Sequence, residues 1–406
     1  MSLREWIESP KVIYHQDWIR RWRKDPFSVP PIYIEISPIG WCNHRCTICA
    51  PEMLGYPKIR LDADLLSRLL SEIRRMREED PDGLGVKSIQ YAGEGEPTLH
   101  KDLARIFRDT RKAGIDVGML TNGTGLTEKL SREIIPLVNG YIQISINAGK
   151  PASYAKIHRA PLKHWDLVWR NLDRVIKIRR ELGAIECEIG ANMTVIVKEV
   201  ADCQRGGAIV PANWWEMESL VQKARDCGLD YVSFKPYSQH PYSEETAKLY
   251  GDMSYKNVII EILEIADYLA EHYSSNSFKV IFRSSRFKDY VSEERGYNIC
   301  RATPNIWSYI QSDGAWLSCS SFWTDKRFHL GNIKNQSFKE IWYGEKRKDH
   351  LKFILEKLDI TECRKTCHPD KENRFLNRIV NVPDYEFNQL MSTLKNSQSV
   401  KRVNFI

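Results

Sequence analysis

Residues 33–49 read YIEISPIGWCNHRCTIC, a short β-branched run followed at once by three closely spaced cysteines. Cys42, Cys46 and Cys49 form a C-x3-C-x2-C pattern on the loop after this predicted first strand. Three thiolates on one loop suit an iron–sulfur cluster in which one iron has no protein ligand and can bind another molecule. The alternative is a structural zinc site, which takes four ligands and would need His44 or a distant residue here. The stretch therefore predicts a metal centre at the end of the first strand.

The rest of the chain alternates β-branched runs with amphipathic stretches, a pattern typical of βα units around a parallel sheet. The predicted strands are Tyr33 to Ile36, Ser88 to Ala92, Asp116 to Thr121, Tyr141 to Ile146, Glu186 to Val197 and Tyr231 to Lys235. The predicted helices between and after them are Ala63 to Met76, Lys101 to Ala113, Thr127 to Ile135, His164 to Leu182, Trp214 to Cys227 and Lys256 to His272. Ligand chemistry in such folds gathers at the carboxyl ends of the strands, so functional residues are expected directly after them.

The composition of the 406 residues is that of a folded globular protein, with 42% hydrophobic and 28% charged residues. The net charge of +7 is a mild bias that could favour an anionic substrate, and it does not indicate nucleic acid. No apolar run approaches the ~20 residues of a membrane span, and Glu5 and Glu8 interrupt what would be a secretory signal. We therefore expect a cytoplasmic protein without a membrane partner, whose ten cysteines serve metal or redox chemistry rather than disulfides.

Changes in the sequence pattern divide the chain into four predicted segments. Residues 1–30 form a short N-terminal helical extension, and residues 31–277 carry the βα units. Residues 278–375 are rich in aromatic residues, Gly and Cys, include a predicted helix from Ser337 to Leu355, and predict a smaller α+β module. Residues 376–406 remain as a C-terminal extension.

The cysteine loop and the motifs after it resemble the radical S-adenosylmethionine (SAM) superfamily, whose signature is the C-x3-C-x2-C spacing. The resemblance implies an α/β fold with a partial (β/α)6 barrel, in which Cys42, Cys46 and Cys49 ligate a 4Fe-4S cluster whose open iron chelates SAM. Residues 92–97 read AGEGEP and are similar to the family's G-G-E-P loop, with Glu94 in place of the first Gly. By resemblance, the residues near SAM are Ile48, Gly95, Glu96, Pro97, Asn122, Ser145, Asn147 and Arg159.

Four of these SAM positions come from three short motifs that also have simpler interpretations. The motifs are TNGT at residues 121–124, SINA at residues 145–148 and KIHR at residues 156–159. An Asn-Gly pair is also a common turn, and Ser-x-Asn could cap the following helix. Arg159 could bind a carboxylate with two hydrogen bonds, or it could form a solvated salt bridge.

A second group of cysteines lies within residues 278–375. Cys300 and Cys319 follow a C-x13-G-x4-C pattern, and Cys363 and Cys367 form a C-x3-C pair after a predicted helix. The pattern resembles the half-size SPASM module, or twitch subdomain, whose four cysteines hold one auxiliary 4Fe-4S cluster. Four thiolates leave no open iron, which favours electron transfer over substrate binding. A structural zinc with four thiolates is the alternative.

The remaining cysteines and the polar residues at strand ends give candidates for the chemistry on the substrate. Cys187 and Cys203 are candidate hydrogen-atom donors to a substrate radical, although burial as small apolar residues is the simpler interpretation. Lys235, Tyr237 and His240 are candidate general bases for an oxidative route. The sequence does not select among them.

The resemblance implies an enzyme that reductively cleaves SAM to a 5′-deoxyadenosyl radical, which abstracts a substrate hydrogen. A single auxiliary cluster suits net oxidation, so we predict an oxidoreductase that dehydrogenates or otherwise modifies a small polar substrate of sugar or nucleotide type. The alternatives are a peptide-modifying or epimerising enzyme with a Cys hydrogen donor and, in another class, a structural zinc-binding protein. Flavodoxin or ferredoxin is the implied external one-electron donor.

Overall fold

A computed structural model of the protein describes residues 10–292, 295–394 and 402–406. Residues 1–9 of the predicted N-terminal extension and residues 395–401 of the predicted C-terminal extension lie outside the described residues. The strands in chain order are β1 (Tyr33–Ile36), β2 (Ser88–Tyr91), β3 (Asp116–Thr121), β4 (Tyr141–Ser145), β5 (Glu188–Val195), β6 (Val200–Asp202), β7 (Ala208–Val210), β8 (Tyr231–Pro236), β9 (Lys279–Phe282), β10 (Trp307–Ile310), β11 (Ala315–Leu317) and β12 (His329–Asn332).

The helices cover most of the chain between these strands. In chain order they are α1 (Gln16–Lys24), α2 (Ala63–Glu79), α3 (Leu103–Lys112), α4 (Glu128–Ile134), α5 (Pro151–Ile157), α6 (Lys163–Glu181), α7 (Met217–Cys227), α8 (Glu244–Tyr250), α9 (Ile259–Tyr273), α10 (Ser284–Val291), α11 (Phe338–Trp342), α12 (Glu345–Glu356), α13 (Asp370–Ile379) and α14 (Asp384–Leu394). Within the described residues, no helix is long and apolar enough to cross a membrane.

One mixed sheet organises the molecule. In the part of the chain that the structure describes, ten strands pair in the order β12-β11-β10-β1-β2-β3-β4-β5-β8-β9. The pairings from β10 to β9 through β1 are all parallel, whereas β10, β11 and β12 are joined by antiparallel pairings. The predicted α/β fold class, six parallel strands with helical crossovers and a small C-terminal module, is confirmed. The four segment boundaries given above stay a prediction.

Alternation along the strands separates a helix-covered core from a polar interior. In β4, Ile142 and Ile144 are fully buried in the large apolar core, while Gln143 and Ser145 on the other face line a central cavity. A period of two residues is what a strand needs to present one apolar and one polar face. The leucine stripe of α2 packs into the same core. This helix begins at Asp62, whose carboxylate accepts the backbone N–H groups of the first turn.

Two details of the elements differ from the prediction. Strand β9, which was not among the six predicted strands, extends the parallel sheet beyond β8. The single helix predicted from Ser337 to Leu355 is two helices, α11 and α12, because Gly344 is extended and caps the start of α12. An added Cβ at Gly344 would lie 2.1 Å from the carbonyl oxygen of Glu340, so this bend requires Gly.

Residues 402–406 cover the amino ends of the central strands. Phe405 is buried between Tyr33 and Tyr141 at the starts of β1 and β4. Asn404 donates from Nδ2 to the carboxylate of Asp116 at 2.6 Å. Packed side chains thereby cover this end of the strands, and Arg402, Phe405 and Ile406 line the central cavity described below.

Candidate functional site

A cavity of about 600 Å³ runs along the inner face of the parallel strands. Strands β1 to β5, β8 and β9 all contribute side chains to its wall. The thiols of both cysteine groups line it, which are those of Cys42, Cys46, Cys49, Cys300, Cys319, Cys363 and Cys367. The cavity lies within the 300–1,000 Å³ range that is usual for small-molecule sites, about in its middle. The two cysteine groups, far apart in sequence, thus face one space.

The first thiol set consists of Cys42, Cys46 and Cys49 on the loop after β1. All three are free and half-buried. Burial raises the pKa of the Cys46 thiol, and the neighbouring Cys49 and Cys42 raise it further. Burial and Cys42 do the same for Cys49, and burial raises the pKa of Cys42 to about 11. Three thiolates held together would repel each other here, and a bound cation relieves that repulsion, so the donor set fits a soft metal cluster.

The AGEGEP loop is fixed directly against the first thiol set's loop. An added Cβ at Gly95 would lie 2.2 Å from the carbonyl oxygen of Trp41, so only Gly allows this approach. The next residue, Glu96, donates its backbone N–H to the same carbonyl at 3.0 Å. The close contact couples the position of residues 95–97 to the position of the cysteines.

The Glu96 carboxylate joins the loop after β2 to the end of β3. One oxygen accepts the Thr121 hydroxyl at 2.5 Å, and the other accepts the Asn122 backbone N–H at 2.7 Å. Thr98 donates its backbone N–H and its hydroxyl to the first oxygen. Burial raises the pKa of Glu96, while these donors lower it. Glu96 thus orders the strand ends around the cavity. Pro97 starts the next short 3-10 turn and does not line the cavity.

The wall next to the first thiol set carries polar side chains from β3, β4 and β5. Asn122 donates from Nδ2 to Asn43 on the cysteine loop at 2.8 Å. Asn147 accepts the Thr194 backbone N–H at 2.9 Å. Asn192 is 4% exposed, and its buried Oδ1 has no hydrogen-bond partner among the described residues. A buried acceptor without a donor is costly, so the wall fits a ligand that carries amino or hydroxyl groups, as SAM does.

The predicted SAM contacts divide into two groups by position. Those that line the cavity are Ile48, Gly95, Glu96, Asn122, Ser145 and Asn147. Arg159 lies elsewhere, in a second cavity of about 560 Å³. Its guanidinium makes paired hydrogen bonds to Asp202 at 2.7 and 2.8 Å, and it also contacts Glu245. The structure therefore keeps Arg159 in a buried ion-pair network, away from the other predicted contacts.

Neither candidate hydrogen donor is among the described residues that line the central cavity. Cys187 is fully buried in the apolar core just before β5, and burial raises the pKa of its thiol to about 12. Cys203 is exposed and lines the second cavity beside Asp202. The simpler interpretation of Cys187, a small apolar core residue, agrees with this placement. By contrast, the three candidate bases Lys235, Tyr237 and His240 all line the central cavity.

The second thiol set is Cys300, Cys319, Cys363 and Cys367, which come from separate segments of the C-terminal module. The pKa of Cys363 is raised by burial and then by Cys319 and Cys300. The pKa of Cys367 is raised by burial, by Asp370 and then by the other three thiols of the set. Asn373 donates from Nδ2 to the Cys300 sulfur at 3.5 Å. Four free thiols that line one cavity and raise one another's pKa fit full ligation of one cluster.

A histidine that the motif search passed over contacts the first thiol set. His158 lies 3.2 Å from the Cys46 sulfur through Nδ1 and 2.9 Å from the Ile146 carbonyl oxygen through Nε2. Because a carbonyl only accepts, Nε2 carries a proton and donates to it. The ring of His44 packs against that of His158. In the KIHR motif, His158 rather than Arg159 therefore lines the cavity beside the first thiol set.

Glu94, the departure from the family's loop pattern, links the barrel to the C-terminal module. It is 4% exposed, and one carboxylate oxygen accepts the Ser312 backbone N–H at 2.7 Å in the turn between β10 and β11. The other oxygen accepts from Gln311 at 3.3 Å. The preceding Gly93 has a φ of +113°, a conformation that suits Gly.

Comparisons with known proteins agree with this arrangement. A model of the radical SAM superfamily matches residues 36–200, and a model of the SPASM iron–sulfur cluster-binding domain matches residues 300–368. The chain is 22% identical over 329 residues to a tungsten-containing aldehyde ferredoxin oxidoreductase cofactor-modifying protein of Pyrococcus furiosus, covering 78% of this chain and 81% of that protein. It is 33% identical over 224 residues to a GTP 3′,8-cyclase of Thermodesulfovibrio yellowstonii, covering 55% of this chain and 62% of that enzyme.

Solved structures share the fold. Streptococcus suis SuiB bound to S-adenosylmethionine matches with a TM-score of 0.59 and 14% identity, covering 81% of this chain and 69% of SuiB. The structure of anSMEcpe with bound AdoMet matches with a TM-score of 0.53 and 18% identity, covering 90% of this chain and 100% of anSMEcpe. A radical SAM domain followed by a SPASM domain implies SAM and 4Fe-4S clusters as cofactors. With both family models matched in order and seven thiols on one cavity, the chain belongs to the radical SAM superfamily and carries a C-terminal SPASM-type iron–sulfur domain.

Proposed function

We propose that this radical SAM enzyme is an oxidoreductase that dehydrogenates a small polar substrate of sugar or nucleotide type. The observation that carries the proposal is that both thiol sets line one cavity. A molecule bound in that cavity therefore shares one space with both thiol sets. When bound, SAM and the two clusters supply a hydrogen-abstracting radical and an acceptor for the electron that the substrate gives up.

Within this proposal, Cys42, Cys46 and Cys49 hold the SAM-binding cluster, and Cys300, Cys319, Cys363 and Cys367 hold the auxiliary one. Glu96 and Gly95 fix the loop against the cysteines, and Asn122, Asn147 and Ser145 present polar groups to SAM from neighbouring strand ends. Ile48 supplies an apolar contact beside them. These residues position the reacting groups and exclude water, which is how a protein contributes to chemistry that its cofactor performs.

The wall of the cavity favours oxidation over epimerisation. Epimerisation by the route considered above needs a thiol that reaches the substrate, and Cys187 and Cys203 lie outside the cavity wall. Oxidation of an alcohol needs a base for the proton that leaves. The candidate bases Tyr237 and His240 line the cavity, and burial lowers the pKa of His240 to about 4, so its imidazole is neutral at pH 7. Its Nδ1 accepts the Tyr242 backbone N–H at 3.3 Å, a contact that a substrate proton replaces in this route. Lys235 also lines the cavity, but with a pKa of about 8 it is charged at pH 7 and is not the base.

The relatives that match over long stretches support a small-molecule substrate. By their names, one modifies a cofactor of a tungsten-containing enzyme and the other cyclises GTP. Matches to SuiB, which has been solved with its precursor peptide, are of 14% identity and support the fold alone. We therefore place peptides second. An acidic one-electron donor of the flavodoxin or ferredoxin type is part of the proposal.

The test is an anaerobic assay of the reconstituted enzyme with reductant, SAM, and panels of sugar phosphates, nucleotides and short peptides. The proposal predicts 5′-deoxyadenosine release that a substrate accelerates, together with a product lighter by two hydrogens. Cys319→Ala should retain cleavage of SAM and suppress the oxidised product. A product of unchanged mass, or full product yield from Cys319→Ala, would contradict the oxidative assignment.

A further inference from the structure

The central cavity has a strongly cationic wall. Among the described residues that line it, eight are Lys or Arg and three are Glu. The cations are Lys11, Lys235, Arg283, Arg286, Arg295, Arg364, Lys371 and Arg402, and the acids are Glu35, Glu96 and Glu372. The ratio of eight cations to three acids is far larger than the ratio of 60 to 53 in the whole chain. A cavity lined by one sign of charge attracts ligands of the other sign.

Most of these cations are held by protein partners. Lys11, Arg286 and Arg295 donate to backbone carbonyls, which are those of Arg402 and Phe405, of His368, and of Cys363 and Arg364, respectively. Arg364 donates to the hydroxyls of Ser320 and Ser321, and Arg402 forms an ion pair with Glu188. Lys235 and Arg283 differ from them. Neither side chain makes a hydrogen bond or ion pair with any residue that the structure describes.

The fold places these two cations side by side. Lys235 is near the carboxyl end of β8, and Arg283 follows β9 directly. The two strands are parallel, with Phe234 opposite Phe282, so the next residue on each strand is Lys235 or Arg283. Neighbouring strands lie about 4.8 Å apart, and residues in register point to the same face. Arg286, one turn into α10, lines the cavity beside them.

Two adjacent buried cations that no carboxylate contacts directly are costly inside a protein. Burial, Arg286 and Arg283 lower the pKa of Lys235 to about 8, while Glu35 raises it. Burial and Arg286 lower the pKa of Arg283 to about 10, while Tyr141, Tyr231 and Glu372 raise it. A ligand with a negative group would supply the missing partner for both side chains.

We propose that Lys235 and Arg283, with Arg286 beside them, form a subsite for an anionic group of the substrate, a phosphate or a carboxylate. The inference rests on the proposed function and narrows its substrate class to anionic small molecules. Arg364 and the neighbouring segment of the second thiol set line the same part of the wall. An anion held here anchors the substrate in the cavity that both thiol sets share.

The test is isothermal titration of the anaerobically reconstituted, SAM-loaded enzyme with pyrophosphate and, separately, with succinate at constant ionic strength. The wild type should bind at least one of the two probes. Lys235→Gln and Arg283→Gln should each weaken that binding by about tenfold or more, the usual loss for a hydrogen bond to a charged group. Lys235→Arg should retain the affinity because it keeps the charge, and Arg68→Gln, a change on the exposed face of α2, should have no effect.

Pyrophosphate binding alone would identify a phosphate as the anchor, and binding of succinate alone a carboxylate. Failure of both probes to bind the wild type, or equal binding by the Gln variants, would overturn the subsite. So would a loss of iron from the Gln variants without a change in anion affinity, because the cations would then serve the second cluster. Release of 5′-deoxyadenosine by the wild type is measured in parallel. Its absence would contradict the proposed function and leave the anion result to be judged separately.

Discussion

The two thiol sets serve one cavity but are built in different ways. The first takes Cys42, Cys46 and Cys49 from eight consecutive residues on one loop, whose backbone is pinned to Ile157 by Thr47. The second gathers cysteines that span residues 300–367, before β10, after β11 and after α12. A local set of three leaves one position open for a ligand, and a dispersed set of four leaves none. In this chain, the cluster site with an open ligand position is built from one loop, and the fully ligated site is built from distant segments.

The difference has a thermodynamic consequence. A metal bound by one loop restrains only that loop, whereas a metal bound by four segments holds a whole module together. Its binding free energy then adds to the stability of the folded module. The two sites should therefore separate cleanly in experiments that compare chemistry with stability.

The largest effect should come from Cys46→Ala. Removing one of three local ligands leaves no site for a cluster that holds SAM, so 5′-deoxyadenosine release should fall by at least about 1,000-fold, the scale for loss of an essential group. The readout is chromatography of the anaerobic reaction, with iron analysis alongside. Iron bound by the second set should persist. Cys227→Ala, which removes a thiol that donates a hydrogen bond to Asp173, is the matched control and should behave as wild type. Normal cleavage by Cys46→Ala would remove the first set from the reaction.

The next largest effect should come from the contact between Gly95 and the loop that carries the first thiol set. Gly95→Ala places a methyl group where 2.2 Å separates it from the Trp41 carbonyl oxygen, so the cysteine loop must move. A displacement of about 1 Å in a reacting geometry costs about 100-fold in rate. We expect SAM cleavage to fall by that order while the second cluster's absorbance remains. Cleavage within a factor of two of wild type would show that the loop contact is unimportant.

Stability should respond in the opposite order. Cys319→Ala should lower the melting temperature of the anaerobic holoprotein by about 5 °C or more, and by more than Cys46→Ala does, since a loss of 1 kcal/mol already shifts a domain of this size by a few degrees. Differential scanning calorimetry on both variants makes the comparison. Equal melting temperatures would mean that the dispersed set does not hold its module together.

A smaller loss is expected at the junction of the two regions. Glu94→Gln keeps the size of the side chain but leaves one acceptor oxygen for two donors, the Ser312 backbone N–H and the Gln311 amide. The expected destabilisation is about 1–3 kcal/mol, the cost of leaving a buried donor without its partner. Thermal unfolding checks this, and Glu79→Gln on an exposed ion pair is the control. An unchanged unfolding free energy would mean that Glu94 does not join the barrel to the module.

The smallest effect is on pH dependence at the cationic wall. Lys235 is charged below its pKa of about 8 and neutral above it, so affinity for sulfate should be full near pH 7 and decline toward pH 9. The charged groups that face it are Arg283, Arg286, Arg364, His368 and Glu35. Sulfate itself does not titrate in this range. Lys235→Arg should flatten the profile measured by calorimetry, and a sloping profile in that variant would assign the titration to another group.

The sequence identified the features that depend on local spacing. The first thiol set, the Gly-Glu-Pro loop and the central strands β1 and β3 follow from patterns within a few residues, and the structure has both strands with the predicted bounds. Strand β9 was not among the six predicted strands, and its parallel pairing with β8 brings together segments that are far apart in sequence. The prediction of one helix over Ser337 to Leu355 was wrong at Gly344, because the extended backbone of this residue divides the segment into two helices.

The rest of the site depends on contacts between distant segments. Arg159 matches a short motif, yet its partner Asp202 lies 43 residues away and holds it in the second cavity. The link from Glu94 to Ser312 crosses 218 residues. The pairing of Lys235 with Arg283 needs the register of two strands, which no single-sequence pattern gives. Long-range pairing of this kind is visible only in the folded chain.

The measurement that tests the account most directly is the content of iron, sulfide and zinc per chain in the anaerobically reconstituted protein, combined with 5′-deoxyadenosine release after reduction. The account predicts about eight irons and eight sulfides, as two 4Fe-4S clusters require, together with cleavage of SAM. About four irons with cleavage would leave the second thiol set without a cluster and remove the electron acceptor from the proposed oxidation. Zinc without iron and without cleavage would contradict the radical chemistry itself.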